Sequence, residues 1–295
     1  MNCVVSLPSG APAPEGSDRA AVTRLGVVVL SDGLLMPYAE RGDAGGRPVI
    51  LLHGYTDTWR SFHGVLPHFP PAIRAIAPTQ RGRGEAGRPA AGYRPRDFAD
   101  DLAGFMDARG IDRAVIAGHS MGSAIAQRFA LDHPDRVDGL VLAGSFATAR
   151  DNPDVAMLWG EVAKLDDPVD PDFVRAFQEA TLARPPAPDF LDMMVDESLR
   201  TPARVWRAAL EGLLQTDHSA ELARIDKPCL VVWGDRDGFF PRADQDALLS
   251  AIPHAQLLVY EGAGHGLHWE EPERFARNVA AFAETVAAGP WPRST

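Results

Sequence analysis

Short apolar runs typical of buried strands alternate with longer runs typical of helices along most of this chain. "PVILLHG" at 48–54, "RAVIAG" at 113–118 and "CLVVWG" at 229–234 are apolar in their interiors without polar alternation, which favours strands buried on both faces. In contrast, "PRDFADDLAGFMDARG" at 95–110 places its large apolar residues on one helical face and ends at a glycine. Parallel strands need helical crossovers of this kind. The sequence therefore predicts an α/β fold with a mostly parallel sheet flanked by helices.

Two segments depart from this alternation. Residues 1–20 are rich in Pro, Gly, Ser and Ala, which predicts a flexible N-terminal arm. Residues 147–223 show no clear buried strand, contain the breakers "DDPVDP" and "ARPPAPD", and are rich in aromatic and Met side chains. We therefore expect a core built from 21–146 and 224–290, with 147–223 inserted between strands as a helical cap. Such a cap would cover the carboxyl edge of the sheet, where open α/β sheets bind ligands.

Charge and cysteine content limit the kinds of binding partner and the cellular compartment that we expect. The net charge of −11 and an isoelectric point near 5.2 argue against nucleic acid or an anionic membrane as partner. Basic residues cluster only at "QRGRGEAGR", residues 80–88, which we expect to be a solvated glycine-rich loop. Cys3 and Cys229 give no disulfide framework, and the sequence shows neither a signal peptide nor an apolar stretch long enough to cross a bilayer. These features predict a cytoplasmic protein.

"GHSMG", residues 118–122, places a serine between two glycines where a predicted strand meets a predicted helix. A strand that turns sharply into a helix strains its turning residue, and glycines at 118 and 122 remove the Cβ clashes that would forbid the turn. The turn exposes the Ser120 hydroxyl at a helix N-terminus, where free N–H groups stabilise negative charge. The pattern also occurs in ordinary loops, but its position between strand and helix makes Ser120 the candidate nucleophile.

A nucleophilic serine needs a general base, and the base needs an orienting acid. Two later predicted strands end at suitable residues. Asp235 and Asp237 follow one strand, and His265 and His268 follow the next. Because parallel strands end at a shared edge, these side chains can meet Ser120 there, with His265 as the candidate base.

Three motifs of this chain resemble those of α/β-hydrolase fold enzymes that carry a helical cap. They are "HGYTDTW" at 53–59, "GHSMG" at 118–122 and "GAGHGLHWEEPERF" at 262–275. The resemblance extends from about Val22 to the last predicted helix. It implies a serine hydrolase, similar to esterases and lactonases, with the helical insertion lying over the active site.

The resemblance implies a triad of Ser120, Asp237 and His265. In that family the acid commonly lies three residues after the glycine that ends its strand. Here this glycine is Gly234, and the third residue after it is Asp237. Asp235 stays as the alternative acid.

The resemblance also implies two backbone donors for an oxyanion. These are the N–H of Tyr55, which follows His53 and a glycine, and the N–H of Met121, which follows the nucleophile. Two preorganised donors of this kind stabilise the charge that develops in acyl transfer. We interpret His53, His119 and His268 as structural residues.

A serine nucleophile implies attack on a carbonyl, loss of an alcohol and hydrolysis of the resulting acyl-enzyme. We expect a carboxylic-ester hydrolase that acts on a small to medium, largely apolar ester or lactone. We expect substrate contacts from Trp159, Met194 and Trp206 of the apolar insertion and from Phe239. The insertion residues could equally serve only to pack the cap.

Two other functions stay open. The same triad can hydrolyse a carbon–carbon bond in a vinylogous diketone, and a pocket of this fold can act as a non-catalytic ligand receptor. The sequence contains no metal-ligand spacing, P-loop or dinucleotide fingerprint, so we expect no cofactor and no metal. The expected partner is a small-molecule ester or lactone, without nucleic acid or membrane. The sequence does not choose a substrate, an acyl-chain length or an oligomeric state, and a homodimer is one option.

Overall fold

The computed structural model describes residues 3–5 and 22–289, and one sheet forms its centre. The strands of the described residues are β1 (Cys3–Val5), β2 (Arg24–Val29), β3 (Leu35–Arg41), β4 (Arg47–Leu52), β5 (Ile73–Pro78), β6 (Ala114–His119), β7 (Val137–Ala143), β8 (Cys229–Gly234) and β9 (Ala255–Tyr260). Their spatial order is β1-β2-β3-β5-β4-β6-β7-β8-β9. The first three strands pair antiparallel and β3 pairs antiparallel with β5, whereas all pairs from β5 to β9 are parallel. The predicted mostly parallel sheet is confirmed.

Helices cover both faces of this sheet. They are α1 (Pro95–Ala108), α2 (Met121–Asp132), α3 (Pro153–Val162), α4 (Pro171–Ala180), α5 (Pro188–Leu199), α6 (Ala203–Leu214), α7 (Arg242–Ala251), α8 (Leu267–Glu270) and α9 (Pro272–Ala288). Side chains of β4 alternate between two apolar cores. Ile50 and Leu52 belong to the core that includes α1 and α2, whereas Val49 and Leu51 belong to the core that includes α9. This two-sided burial explains why the central strands are continuously apolar in sequence.

Helices α3 to α6 follow one another between β7 and β8 without an intervening strand, in a stretch that the structure describes throughout. The two ends of this stretch lie side by side. Thr148 and Asp217 form an isolated bridge, and the N–H of His218 donates to the carbonyl of Ala147 at 3.0 Å. Residues 147–223 therefore leave the sheet and return to it at one place, and their role as a cap stays a prediction.

The N-terminal segment differs in part from expectation. Cys3–Val5 form strand β1, which pairs antiparallel with β2, so a flexible arm is wrong for these three residues. The short apolar run "CVV" can pair with an exposed strand edge, and composition alone does not reveal this. The other residues of 1–20 lie outside the described ranges. Within the described ranges, no helix is long and apolar enough to cross a membrane.

Candidate active site

Ser120 lies at the sharp turn between β6 and α2, and the flanking glycines permit that turn. Its φ is +53°, the one positive value that a non-glycine residue adopts in the described part of the chain. A Cβ at Gly118 would lie 2.1 Å from the carbonyl oxygen of Gly122, and a Cβ at Gly122 would lie 2.2 Å from that of Leu52. Any larger residue would displace the backbone at either position. Packing on both sides therefore holds the strained conformation of Ser120.

His265 and Asp237 follow β9 and β8, and His265 Nδ1 lies 2.8 Å from Asp237 Oδ2. An ionised carboxylate only accepts, so Nδ1 carries the proton and Nε2 is left as the basic nitrogen. Asp237 Oδ1 accepts the N–H groups of Phe239 and Phe240 at 2.8 and 3.0 Å. Burial acts to raise the pKa of Asp237, but attraction to His265 and these hydrogen bonds hold it below its ordinary value. Asp237 is therefore ionised at neutral pH.

Asp235 occupies a different environment. Its Oδ1 accepts the N–H of Gly262 at 2.6 Å, and its side chain is about one-third exposed. The side chain of Asp237, in contrast, is completely buried against His265. Of the two aspartates left open by spacing, the geometry favours Asp237 as the partner of the candidate base.

The other histidines have structural partners. His119 Nε2 donates to the carbonyl of His265 at 2.9 Å and so supports the loop of the candidate base. His53 Nε2 accepts the backbone N–H of Gln80 at 3.0 Å, which leaves Nδ1 to donate to the carbonyl of Gly54 at 2.9 Å. Burial lowers the pKa of both His53 and His119 to about 3, so both rings are neutral at pH 7. These contacts agree with the structural role that we expect for them.

Ser120 and His265 line the same cavity, and most of its wall is apolar. The apolar wall consists of Phe146, Ala149, Val155, Leu158, Phe177, Leu210, Leu213, Phe239, Phe240 and Trp269. Most of these side chains come from the helical segment 147–223. Among the described residues, no lysine or arginine lines the cavity.

The predicted oxyanion residues belong to two different segments, the loop after β4 and the start of α2. Tyr55 lines the cavity directly after Gly54, in the loop that follows β4. Met121 is the first residue of α2, and the first N–H groups of a helix have no acceptor within it. The Tyr55 hydroxyl donates to the carbonyl of Trp206 in α6, which ties this loop to the helical segment.

Of the four predicted substrate contacts, Phe239 lines the cavity, whereas Trp159, Met194 and Trp206 do not. Trp206 is fully buried, and its ring packs edge-on against Tyr55 with 5.4 Å between centroids. Met194 is fully buried as well, and Trp159 packs against the apolar core. The structure contradicts the prediction for Met194 and Trp206, which are fully buried outside the cavity, whereas Trp159 is only partly buried and its contact with a substrate stays a prediction.

The predicted solvated loop at 80–88 is also wrong in part. Gln80 is buried, and its side-chain amide donates to the carbonyl of His53 at 2.9 Å. Arg83 is 0% exposed. Arginine is almost never fully buried, so a basic glycine-rich sequence gives little indication of this burial.

A buried polar cluster around Asp57 is absent from the expectations drawn from the sequence. Asp57 lines the cavity, and its two oxygens accept from Gln178 Nε2 at 3.2 Å and from Ser61 Oγ at 3.1 Å. Gln178 of α4 also donates to Ser198 Oγ at 2.8 Å, and His268 Nε2 lies 2.9 Å from Ser61 Oγ. Burial raises the pKa of Asp57 to about 6. The only sequence signal was a carboxylate inside the motif "HGYTDTW".

A model of the α/β-hydrolase fold matches residues 47–272 of the chain. The chain belongs to this family. A 2-hydroxy-6-oxononadienedioate/2-hydroxy-6-oxononatrienedioate hydrolase of Burkholderia vietnamiensis is 31% identical, and the match covers 87% of this chain and 94% of the relative.

Two solved structures of esterases have the same fold. A thermophilic esterase from Thermogutta terrifontis is 26% identical with a TM-score of 0.79, and the match covers 89% of this chain and 99% of that one. An esterase from a Rhodococcus species is 26% identical with a TM-score of 0.78, over 90% and 99%. The family and these relatives identify the chain as a hydrolase. The names of the relatives refer to different kinds of substrate.

Proposed function

We propose that this chain is a serine hydrolase that cleaves a carboxylic ester or lactone through an acyl-enzyme. One observation carries the proposal. A strained serine at a strand-to-helix turn and a histidine that is hydrogen-bonded to a buried carboxylate line one apolar cavity. Those are the parts that an activated serine nucleophile needs, namely Ser120, His265 and Asp237.

In the first half-reaction, His265 Nε2 accepts the proton of Ser120 as Oγ attacks the substrate carbonyl. The carbonyl oxygen becomes an oxyanion, which the N–H groups of Tyr55 and Met121 stabilise. The C–O bond to the alcohol then breaks, and the alcohol leaves with the proton from His265. With a lactone, this alcohol stays attached to the acyl chain.

In the second half-reaction, water takes the place of the alcohol. His265 accepts a proton from water, the hydroxide attacks the acyl carbonyl, and the same two N–H groups stabilise the second oxyanion. Ser120 leaves with the proton from His265, and the carboxylic acid is released. Asp237 holds the imidazole in the required tautomer in both halves.

The cavity wall supports a neutral, largely apolar substrate. Leu158, Leu210, Leu213 and Phe177 of the helical segment face the space next to Ser120, so we propose that residues 147–223 act as a cap that contacts the acyl or alcohol group. The described part of the wall contains the carboxylate of Asp57 but no lysine or arginine that could bind a negatively charged substrate group.

Carbon–carbon bond hydrolysis is the second candidate, because the Burkholderia relative is named for a dioate substrate. A dioate carries two carboxylates, and carboxylates are usually bound by arginine or lysine. The described lining contains neither, and it does contain Asp57. The wall therefore favours an uncharged ester or lactone over a dicarboxylate.

A substrate panel separates these candidates. p-Nitrophenyl esters of increasing acyl length, γ- and δ-lactones and a vinylogous diketone acid would be assayed with wild-type protein and with Ser120→Ala. We expect ester or lactone turnover that falls by ~10⁴-fold or more in Ser120→Ala. Faster turnover of the diketone acid than of every ester would favour the second candidate. Tight ligand binding without any turnover would favour a receptor instead.

A further inference from the structure

Arg83 follows β5 and is fully buried, yet its guanidinium forms no ion pair within the described part of the chain. Burying a charge without a paired carboxylate is costly unless hydrogen bonds compensate for the lost water. Burial lowers the pKa of Arg83 to about 10, so the side chain is still charged at neutral pH. The groups that accept hydrogen bonds from this guanidinium therefore indicate why the charge is buried here.

The guanidinium binds the backbone of one candidate oxyanion residue. Nε and Nη2 of Arg83 both donate to the carbonyl of Tyr55, at 3.0 and 2.6 Å. Nη1 donates to the carbonyl of Arg81 at 2.9 Å. The Tyr55 carbonyl belongs to the peptide unit after the one that carries the Tyr55 N–H. The two bonds therefore fix the orientation of the residue that presents this N–H.

The same guanidinium contacts the other candidate oxyanion residue. Nη2 of Arg83 lies 3.3 Å from Sδ of Met121, whose N–H directly follows Ser120. The ring centroid of Phe98 in α1 lies 5.1 Å from Cζ of Arg83. One buried cation thus touches the loop after β4 and the start of α2, the two segments that carry the candidate donors.

We infer that Arg83 is a positioning residue for oxyanion stabilisation, because it holds Tyr55 and Met121 together and places a buried positive charge beside both. This inference rests on the proposed function. Negative charge develops on the substrate oxygen only in the transition state, so loss of Arg83 should lower kcat and leave KM nearly unchanged. Lysine at this position would keep the charge but could not bind one carbonyl with a rigid two-donor fork.

The test compares Arg83→Met and Arg83→Lys with the matched control Arg81→Met. The Arg81 guanidinium lies in the same loop, but it binds Asp101 and the carbonyl of Gly92 and neither oxyanion residue. With a p-nitrophenyl ester, we expect kcat to fall ~10–100-fold in Arg83→Met and ~3–10-fold in Arg83→Lys, because a displacement of about 1 Å can cost ~100-fold. KM should stay within about threefold in each variant, and kcat within about threefold in Arg81→Met.

A transition-state analogue provides the readout that a purely structural role would not change. A trifluoromethyl ketone forms a tetrahedral adduct with a serine nucleophile, so its inhibition constant should rise by the same factor by which kcat/KM falls. Unchanged kcat in both Arg83 variants, a higher KM with unchanged kcat, or an equal loss in Arg81→Met would each overturn the inference.

If circular dichroism shows that Arg83→Met does not fold, Arg83→Lys decides. A kcat lowered at least about threefold supports the inference, and a wild-type kcat overturns it. Failure of the proposed function is recognised separately. In that case the Ser120→Ala variant would still hydrolyse esters at the rate of the wild-type protein. That result would overturn the inference together with the function on which it rests.

Discussion

The change Asp237→Asn tests how the candidate base is oriented. Asp237 Oδ1 accepts two backbone N–H groups, from Phe239 and Phe240, so the carbonyl oxygen of asparagine should take that position. Its NH₂ group then faces His265 Nδ1, where Oδ2 lies at 2.8 Å in the wild type. Nδ1 must become an acceptor, which moves the ring proton to Nε2. A protonated Nε2 cannot accept the proton of Ser120.

We therefore expect kcat/KM to fall by ~10⁴-fold, which corresponds to about 5.4 kcal/mol of transition-state stabilisation. The assay is p-nitrophenyl butyrate hydrolysis at about pH 7.5. Asp235→Asn is the matched control and should stay within about threefold of wild type, since Asp235 binds only nearby loop groups. A folded Asp237→Asn protein that loses less than about tenfold, or an equal loss in the control, would refute this orientation.

Four further substitutions test the roles of buried charge and of packing. Glu40→Gln should lower the free energy of unfolding at pH 7 by about 3 kcal/mol, because Glu40 is buried among three arginines that would lose their shared carboxylate. Burial acts to raise the pKa of Glu40, but the arginines hold it below its ordinary value. The stabilisation that ionised Glu40 provides is therefore complete above about pH 5 and declines as pH falls through its folded pKa. Urea unfolding of wild type and Glu40→Gln at about pH 7 and pH 3 should show this decline. Asp57→Asn should have the opposite pH dependence, because burial raises the pKa of Asp57 to about 6. As pH rises from about 4 to 8, the free energy of unfolding of the variant should increase relative to that of wild type by up to about 3 kcal/mol in the same assay. Trp206→Ala should lower the free energy of unfolding by about 3–5 kcal/mol, because Trp206 is fully buried. It should change the hydrolysis rates of all esters by the same factor. Leu158→Trp, at the cavity wall, should slow long-chain esters more than acetates, and equal slowing would place Leu158 outside the acyl site.

The sheet could be predicted because its central strands are buried on both faces. Ile50 and Val49 point into opposite cores, so neither position of the alternation can be polar. The turn at Ser120 could be predicted because only glycine fits on either side of it. In both cases the constraint is local, so the residue types of a short segment reveal it.

The wall of the cavity could not be predicted in the same way. Trp206, Leu210 and Leu213 lie on one face of α6 at helical spacing, and all three are buried. Leu210 and Leu213 line the cavity, whereas Trp206 packs behind Tyr55. Periodicity identifies the buried face of a helix, but which turn of that face meets the cavity depends on how the helix crosses the loop after β4.

The burial of Arg83 depends on contacts that are distant in sequence. Two of its partners, Tyr55 and Met121, are 28 and 38 positions away along the chain, and the ring of Phe98 lies next to its guanidinium. A basic glycine-rich loop ordinarily indicates solvent exposure. Only the fold, which brings β4, β5 and α2 together, makes this arginine part of the interior.

Intact-protein mass spectrometry after treatment with a fluorophosphonate tests the central claim most directly, because this reagent modifies a serine only when a neighbouring base activates it. Ser123 lies in the first turn of α2 and donates to the carbonyl of Ser120, so Ser123→Ala is the control for nearby changes. The account predicts a single adduct on wild type and on Ser123→Ala, located at Ser120 by peptide mapping, and no adduct on Ser120→Ala. An adduct that persists on Ser120→Ala, or an unmodified wild type that still hydrolyses esters, would contradict it.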